Sequence, residues 1–481
     1  MANLGLYRAL ARYGGFEAIQ FLTGQDFDPA DVWASAQPQI SRHELLDLYA
    51  PCAAGALLRG QPYLDELAWI RRAFRPANAY SLVGLIHTLA PPAVRELIGA
   101  VATAPVYPWD ALICSSPSVR EGLERMFGHW HDYLQHRLGA QQRVMPQLPV
   151  IPLGVDADPL AAQAADRQAR AGLRAQLGLQ DDTVMVLWVG RLSYFEKAFP
   201  QGMFRAMQRA LERSGVALHL AMAGWFPNGD HDHQLFREAA QTCCPDVPVS
   251  FLDGSNSDLV AQCWAAADVF LSLVDNVQET FGLSPVEAMA AGLPVVVSDW
   301  DGYRATVRDG IDGFRIPTLG GPSGGIGQEL AARHSVGLSS YQDYVGAVAQ
   351  HTAVDVEAAA AALASLAGDP SLRQRMGQAG QQHVQECFAW PVVINQYLAL
   401  LTDLEAIRAS APADASRWLH PLRGDPFADF SHFATLPLGS ATLLAPALGA
   451  SKPLEPEQLL ASCSRLDLAY AGCHASDAEC R

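Results

Sequence analysis

Two cations and two carboxylates in the second half of the chain have the types and spacing for chemistry. Arg191 and Lys197 lie in VLWVGRLSYFEK, just after an apolar run that ends at Gly190. A buried strand in a parallel sheet hands its next loop to the edge where α/β proteins bind ligands. An arginine fork and a lysine point charge there suit a pyrophosphate. Lysine occurs only at Lys197 and Lys452, so nearly all the basic charge is arginine, and a lysine inside this loop asks for a reason. Glu279 and Glu287 bracket ETFGLSPVE. The N–H groups of Phe281, Gly282 and Leu283, near a helix start, favour phosphate or sugar hydroxyls, and Gly282 allows close backbone approach. The same stretch also reads as a capping box, with Ser284 as N-cap, Pro285 in the first position and Glu287 as the return partner. That gives Glu287 a structural job instead. In AMAGWFPNG a strand ends at Gly224, on the same sheet edge. His87, in SLVGLIHTLA, follows an apolar run of the first half.

Metal ligation is the competing chemistry. Asp26/Asp28, Asp156/Asp158 and Asp299/Asp301 each read Asp-x-Asp, and GDHDHQ (229–234) has ligand-like composition. Among 50 acidic residues such triplets arise by chance. No metal or other cofactor is expected.

The elements that must hold these groups alternate. Strand-like runs at Ala79–Ile86, Ala111–Cys114, Val184–Val189, Leu218–Met222, Val269–Val274 and Pro294–Val297 are separated by helical segments at Ser118–Leu138, Phe199–Arg213, Asp258–Ala266 and Pro285–Ala291. This predicts α/β architecture with parallel sheets covered on both faces. Prolines at 146, 149, 152 and 159 mark a linker around Pro152–Pro159. GGPSGGIG, inside Thr318–Gly337, predicts a long irregular loop. A helix is expected over Pro391–Ile407, and the pattern dissolves beyond Ser410.

The 481 residues fit two domains plus an appendage. A net charge of −17 opposes general nucleic-acid or anionic-lipid binding. No apolar run is long enough for a transmembrane helix, and the N-terminus lacks a signal-peptide pattern. Nine scattered cysteines suit reduced thiols and a cytoplasmic setting. Cys463, Cys473, Cys480 and His474 are spaced unlike common zinc modules.

The Glu279–Glu287 spacing within ETFGLSPVEAMAAGLPVV resembles the donor-site signature of retaining GT-B glycosyltransferases, and most of all glycosyltransferase family 4. GRLSYFEK is similar to that family's phosphate element, and VIPLGVD (150–156) to its interdomain loop. The likeness runs over roughly 80–408 and is strongest from 184 to 317. It implies two facing Rossmann-like domains: 1–152 for the acceptor, 153–389 for a nucleotide-sugar donor, a crossover helix at 390–409 and an irregular extension at 410–481. By the same resemblance, Arg191 and Lys197 bind the diphosphate of a nucleoside diphosphate sugar. Glu279 contacts sugar hydroxyls, and Glu287 the ribose. Gly190, Gly224, Phe281, Gly282 and Leu283 complete the donor site, and His87 stands near the transferred sugar. The acceptor stays open, with polysaccharide or lipid-linked glycan assembly as analogies.

ALICSSPSVREGLERMF (111–127) resembles the family's strand-loop-helix at the cleft; Ser116 or Ser118 could cap the helix, and Arg120 face either cleft or solvent. Two departures remain. MANLGLYRALARYGG looks like the helix that follows the family's first strand and glycine-rich loop, with Asn3 and Gly5 as remnants. The expectation is an N-terminal sheet short of one strand, or a start placed too late. SDWDGYRATV replaces the usual Gly-Gly…Glu stretch, so sugar preference does not transfer. A nucleotide-sugar binder without transfer activity and a nucleotide-sugar epimerase stay open as alternatives.

Overall fold

The computed structural model describes residues 2–412, 414–437, 439 and 466. The chain divides into two compact units, Met1–Leu419 and His420–Arg481.

In the first unit the strands run β1 (Ala18–Leu22), β2 (Gln39–His43), β3 (Ala56–Arg59), β4 (Ser81–Leu85), β5 (Ala111–Ile113), β6 (Val184–Val189), β7 (Leu218–Gly224), β8 (Val249–Asp253), β9 (Val269–Ser272), β10 (Val295–Ser298) and β11 (Gly313–Ile316). β6, β7, β9 and β10 are apolar through most of their length and almost wholly buried, as strands with helices on both faces must be. They build a parallel sheet of order β11-β10-β9-β6-β7-β8. Chain order reverses between β6 and β9, and at such a point the loops leaving the two strands diverge and open a crevice. The loop after β6 carries Arg191 and Lys197, and the loop after β9 carries Glu279.

The first half is divided differently. β3, β4 and β5 form one parallel sheet, and β1 and β2 a separate parallel pair. A cavity of about 450 Å³, lined by all of β1 and β3, lies between the two. The helix Ala2–Tyr13 and the helix Trp390–Ser410 bound it. Trp390–Ser410 crosses back from the second half: Val393, Ile394, Tyr397 and Leu404 share a core with Leu6, Leu10, Val83, Leu85 and Ile113. Its entry is fixed at Val155, whose N–H donates to Phe388 O (2.9 Å) and whose carbonyl accepts from Trp390 N (3.3 Å).

The expected irregular stretch at Thr318–Gly337 is largely ordered. Strands β12 (Thr318–Leu319) and β13 (Ala353–Val354) pair antiparallel as a stem for helices Gly325–Ser335 and Tyr341–Gln350. The first helix starts inside the glycine run, after Gly324 at φ +102°. Its later residues, QELAARH, are mostly good helix formers and offset the glycine cost. Within the stretch, 320–324 and the turn at 336–337 lie outside these elements.

In the second unit, short helical turns at Pro426–Asp429 and Ser431–Phe433 leave Phe427, Phe430 and Phe433 exposed. Lys452, Cys463, Cys473, His474 and Cys480 lie outside the described residues.

The sheet β3-β4-β5 is tied by a buried ion pair. Arg71 donates to both carboxylate oxygens of Asp110 (2.7 and 2.6 Å), and Asp110 also accepts from Leu82 N and Tyr107 N (both 2.9 Å). Asp110→Ala strands the Arg71 charge and should cost about 3–5 kcal/mol in a urea unfolding titration.

Candidate active site

The loop after β6 is a pinned turn. Gly190, at φ +150°, lets the chain leave the sheet. A Cβ on Gly224 would lie 2.0 Å from Gly190 O, so Gly224 packs directly against this loop and has no room for a side chain. Ser193 caps the turn: its Oγ accepts from Glu196 N (3.1 Å) and its carbonyl from Lys197 N (3.0 Å). Asn276 Nδ2 donates to Phe195 O (2.7 Å) and ties the turn to the loop after β9. Arg191 Nη1 pairs with Glu196 Oε2 (2.5 Å), a partner the sequence offered only as an opposite charge five residues on.

The loop after β9 leads to the helix Leu283–Ala290. This helix has no capping box. Its N-cap is Gly282, at φ +94°, and no side chain caps it. Ser284 falls inside the first turn, so it and Glu287 do not form that cap. A Cβ on Gly282 would strike the Tyr303 ring at 2.2 Å, which forces glycine here on grounds of space as well as backbone. No acceptor within the described residues meets the N–H of Gly282 or Leu283.

Lys197 Nζ meets Glu279 Oε2 at 2.6 Å, both largely buried. Thr280 N donates to the other oxygen, Oε1 (3.2 Å). Burial pushes the Glu279 carboxyl up, but Lys197 and the N–H groups of Thr280 and Phe281 outweigh it and hold the group below its ordinary value. The Phe281 N–H, expected to face a donor, is thereby directed at Glu279. The Glu287 carboxyl is raised by burial, with Lys197 opposing, and no hydrogen bond reaches that carboxyl among the described residues.

These groups share a cleft between the two halves of the first unit. A cavity of about 470 Å³ is lined by Asn3, His87, Arg191, Glu196, Lys197 and the stretch Gln278–Ser284. A neighbouring cavity of about 390 Å³ shares Asn3, His87, Leu153 and Leu283 with it and reaches Glu287. His87 Nε2 lies 2.9 Å from both Asn3 Oδ1 and Gly60 O. Three neutral hydrogen bonds cross the cleft: Thr280 Oγ1 to His87 O (2.7 Å), Ser115 Oγ to Thr280 O (3.3 Å) and Ser118 Oγ to Asp301 O (3.2 Å). Sequence reasoning missed Thr280 and Ser115, because hydroxyls bonded to backbone carry no spacing signal. Ser116 caps the helix Pro117–Leu138, and Arg120, half exposed, lies 3.7 Å from Glu124.

Four of the six triplet aspartates have protein partners. Asp26 pairs with Arg42, Asp28 caps a short helix, Asp158 accepts from Gln385 (2.8 Å), and Asp299 lies near Arg304 and Arg315 (3.7 and 3.5 Å). Asp232 of GDHDHQ is buried and accepts from Asn228. Among the described residues no helix is long and apolar enough to cross a membrane.

Residues 170–318 match the family described as "Glycosyl transferases group 1". An uncharacterized glycosyltransferase of Methanocaldococcus jannaschii is 33% identical over 153 residues, 31% of this chain and 36% of that protein. A D-inositol 3-phosphate glycosyltransferase of Kribbella flavida is 27% identical over 328 residues, 67% of this chain and 65% of that protein. The chain thus spans about a third to two thirds of these relatives' length. Among solved structures, HepE of Anabaena, in complex with UDP and glucose, is 14% identical with a TM-score of 0.53, covering 83% of this chain and 95% of HepE. The sucrose-phosphate synthase of Thermosynechococcus elongatus is 20% identical with a TM-score of 0.50, covering 84% and 92%. These likenesses show the fold, which is GT-B.

One buried carboxyl at the edge of the site generates a stability prediction. Burial pushes Asp275 up to about 8, although the N–H of Phe199 donates to it (3.3 Å). The folded protein therefore holds this proton where the unfolded chain has lost it, and stability from the neutral form is complete below about pH 4 and lost as pH rises through about 8. Asp275→Asn keeps the acceptor for Phe199. Its Tm should match the wild type near about pH 4 and exceed it increasingly toward about pH 9.

Proposed function

We propose, from the membership of residues 170–318 in the glycosyl transferases group 1 family, that this chain is a glycosyltransferase using a nucleoside diphosphate sugar and retaining anomeric configuration. The observation that carries this reading is the meeting of Lys197 and Glu279, 82 residues apart, in one cleft with Arg191 and His87. A diphosphate entering beside Arg191 offers Lys197 a stronger anion than Glu279. Glu279 is then released to accept hydrogen bonds from sugar hydroxyls. Binding the donor exchanges one ion pair for two sets of contacts, and neither charge is left bare. The ribose falls to Glu287, whose carboxylate has no competing bond.

In the transfer step the bond between the anomeric carbon and the diphosphate oxygen breaks, and negative charge builds on the leaving group. Arg191, Lys197 and the N–H groups of Gly282 and Leu283 are placed to stabilise that charge. The acceptor hydroxyl oxygen bonds to the anomeric carbon from the same face, and its proton passes to the departing diphosphate. His87 stands where it can hydrogen-bond the transferred sugar. The cations supply the charge that a metal would otherwise bring, and activity is expected to survive EDTA unchanged. UDP is the first nucleotide to try, since HepE was solved with it. The acceptor class follows by analogy with glycan assembly, in the cytoplasm.

Three substitutions test the assignment by calorimetry and turnover. Lys197→Ala should weaken nucleotide-sugar binding roughly 10- to 150-fold, the worth of a charge-assisted hydrogen bond. Glu279→Ala should abolish most donor hydrolysis while free UDP binding is kept or tightened, since Lys197 loses its competing partner. Glu287→Gln should keep or raise the native Tm, because it caps nothing and removes a carboxyl whose ionisation burial opposes, yet weaken free UDP. Unchanged UDP affinity in Glu287→Gln removes the ribose role. Hydrolysis of the nucleotide sugar without an acceptor separates a transferase from a binder, and mass spectrometry of products separates transfer from epimerisation.

A further inference from the structure

The segment SDWDGY (298–303) contains a residue that the donor site as described does not use. Asp301 is the one non-glycine residue at positive φ among the described residues, at +41°. Asparagine tolerates the left-handed region as readily, and glycine more so. The backbone therefore does not explain a carboxyl at this position. Its surroundings do not explain it either. One carboxyl oxygen, Oδ1, is buried and has no hydrogen-bond partner among the described residues. Glu279 lies close enough for its charge to act on Asp301, and burial with that charge pushes the carboxyl up to about 7.

The turn that carries Asp301 is tightly seated on the Glu279 loop. A Cβ on Gly302 would lie 2.3 Å from Phe281 Cα, so the two backbones touch. Trp300 Nε1 donates to Asn276 O (3.0 Å). From the other side of the cleft, Ser118 Oγ donates to Asp301 O. Backbone contacts on both flanks hold the residue in place; its carboxyl receives the Gly302 N–H and feels the opposing charges of Glu279 and Arg304, while Oδ1 stays without a partner among the described residues. A buried polar atom without a partner costs free energy unless something else supplies the bond. A strained residue held by its surroundings is a common feature of ligand-binding sites.

We propose that Asp301 is a further sugar-contacting residue of this cleft, whose carboxyl joins Glu279 in holding hydroxyls of the transferred sugar and so helps set which sugar is accepted. The proposal rests on the donor reading given above. A carboxyl here can accept from one hydroxyl and, while protonated, donate to another. That distinguishes neighbouring hydroxyl orientations in a way the glycines of the resembled family pattern cannot. It is assigned to the sugar, not the nucleotide, because the cleft carboxylate whose charge reaches it is Glu279, while its other charged neighbour, Arg304, lies on its own turn.

Asp301→Gly deletes the carboxyl and suits the left-handed backbone, and Asp301→Asn keeps the shape while removing the charge and the proton. Affinities are measured for UDP and GDP, and for UDP-glucose, UDP-N-acetylglucosamine and GDP-mannose. In Asp301→Gly the free nucleotide should bind as in the wild type, with Tm equal or higher. The gain that the preferred sugar adds over its free nucleotide should fall about 10-fold or more. Asp301→Asn should retain part of that gain and change the ranking of the sugars. An unchanged gain and ranking in both variants overturns the proposal. Equal weakening of free nucleotide and nucleotide sugar also overturns it, since that marks a general distortion of the loop. A wild-type protein that binds none of the five probes overturns the donor reading itself, and this proposal with it.

Discussion

Lys197 and Glu279 meet because β6 and β9 are neighbours in the sheet although their chain order reverses there. That adjacency is the constraint on which the cleft depends. It sets the two loops side by side, and each is then fixed by bonds to the other, as when Asn276 holds Phe195. The ion pair keeps two charges satisfied in a mostly buried place, where either alone would be costly. On the donor reading proposed above, an incoming anion would compete for the cation, and the freed carboxylate would acquire a ligand of its own.

The helix that follows Glu279 shows how small residues govern this arrangement. Gly282 and Gly302 permit two backbone turns to interlock with Tyr303 and Phe281. The interlock leaves N–H groups at the helix start uncapped by any side chain. A serine or aspartate cap would satisfy one of them and weaken the local affinity for an anion.

Much of this was legible in the chain. The buried strands β6, β7, β9 and β10 announce themselves as apolar runs, and the loops that follow them contain the charged residues later found together. The ion-pair partner of Lys197 was not legible, because contact across 82 residues is a property of sheet order. The capping box misled because its letters were right and its frame was wrong: a glycine at φ +94° starts the helix earlier than Ser284 would. The glycine run near 321–327 misled in the opposite sense, since strong helix formers downstream recruit it. β1 and β2 escaped notice because they are short, half-exposed and mixed in polarity.

The cleft is joined by hydroxyl-to-carbonyl bonds from Thr280, Ser115 and Ser118, none of which carries charge. The groups that would hold a diphosphate are all charged or dipolar. Ionic strength therefore acts on the two processes unequally. Added salt screens the attraction between an anion and the partly exposed Arg191 and Lys197. It leaves the neutral clasp between the two halves nearly as it was. On the donor reading, rising salt would lower occupancy of the cleft before it loosened the bonds that hold the two halves together, which makes capture and enclosure separable steps.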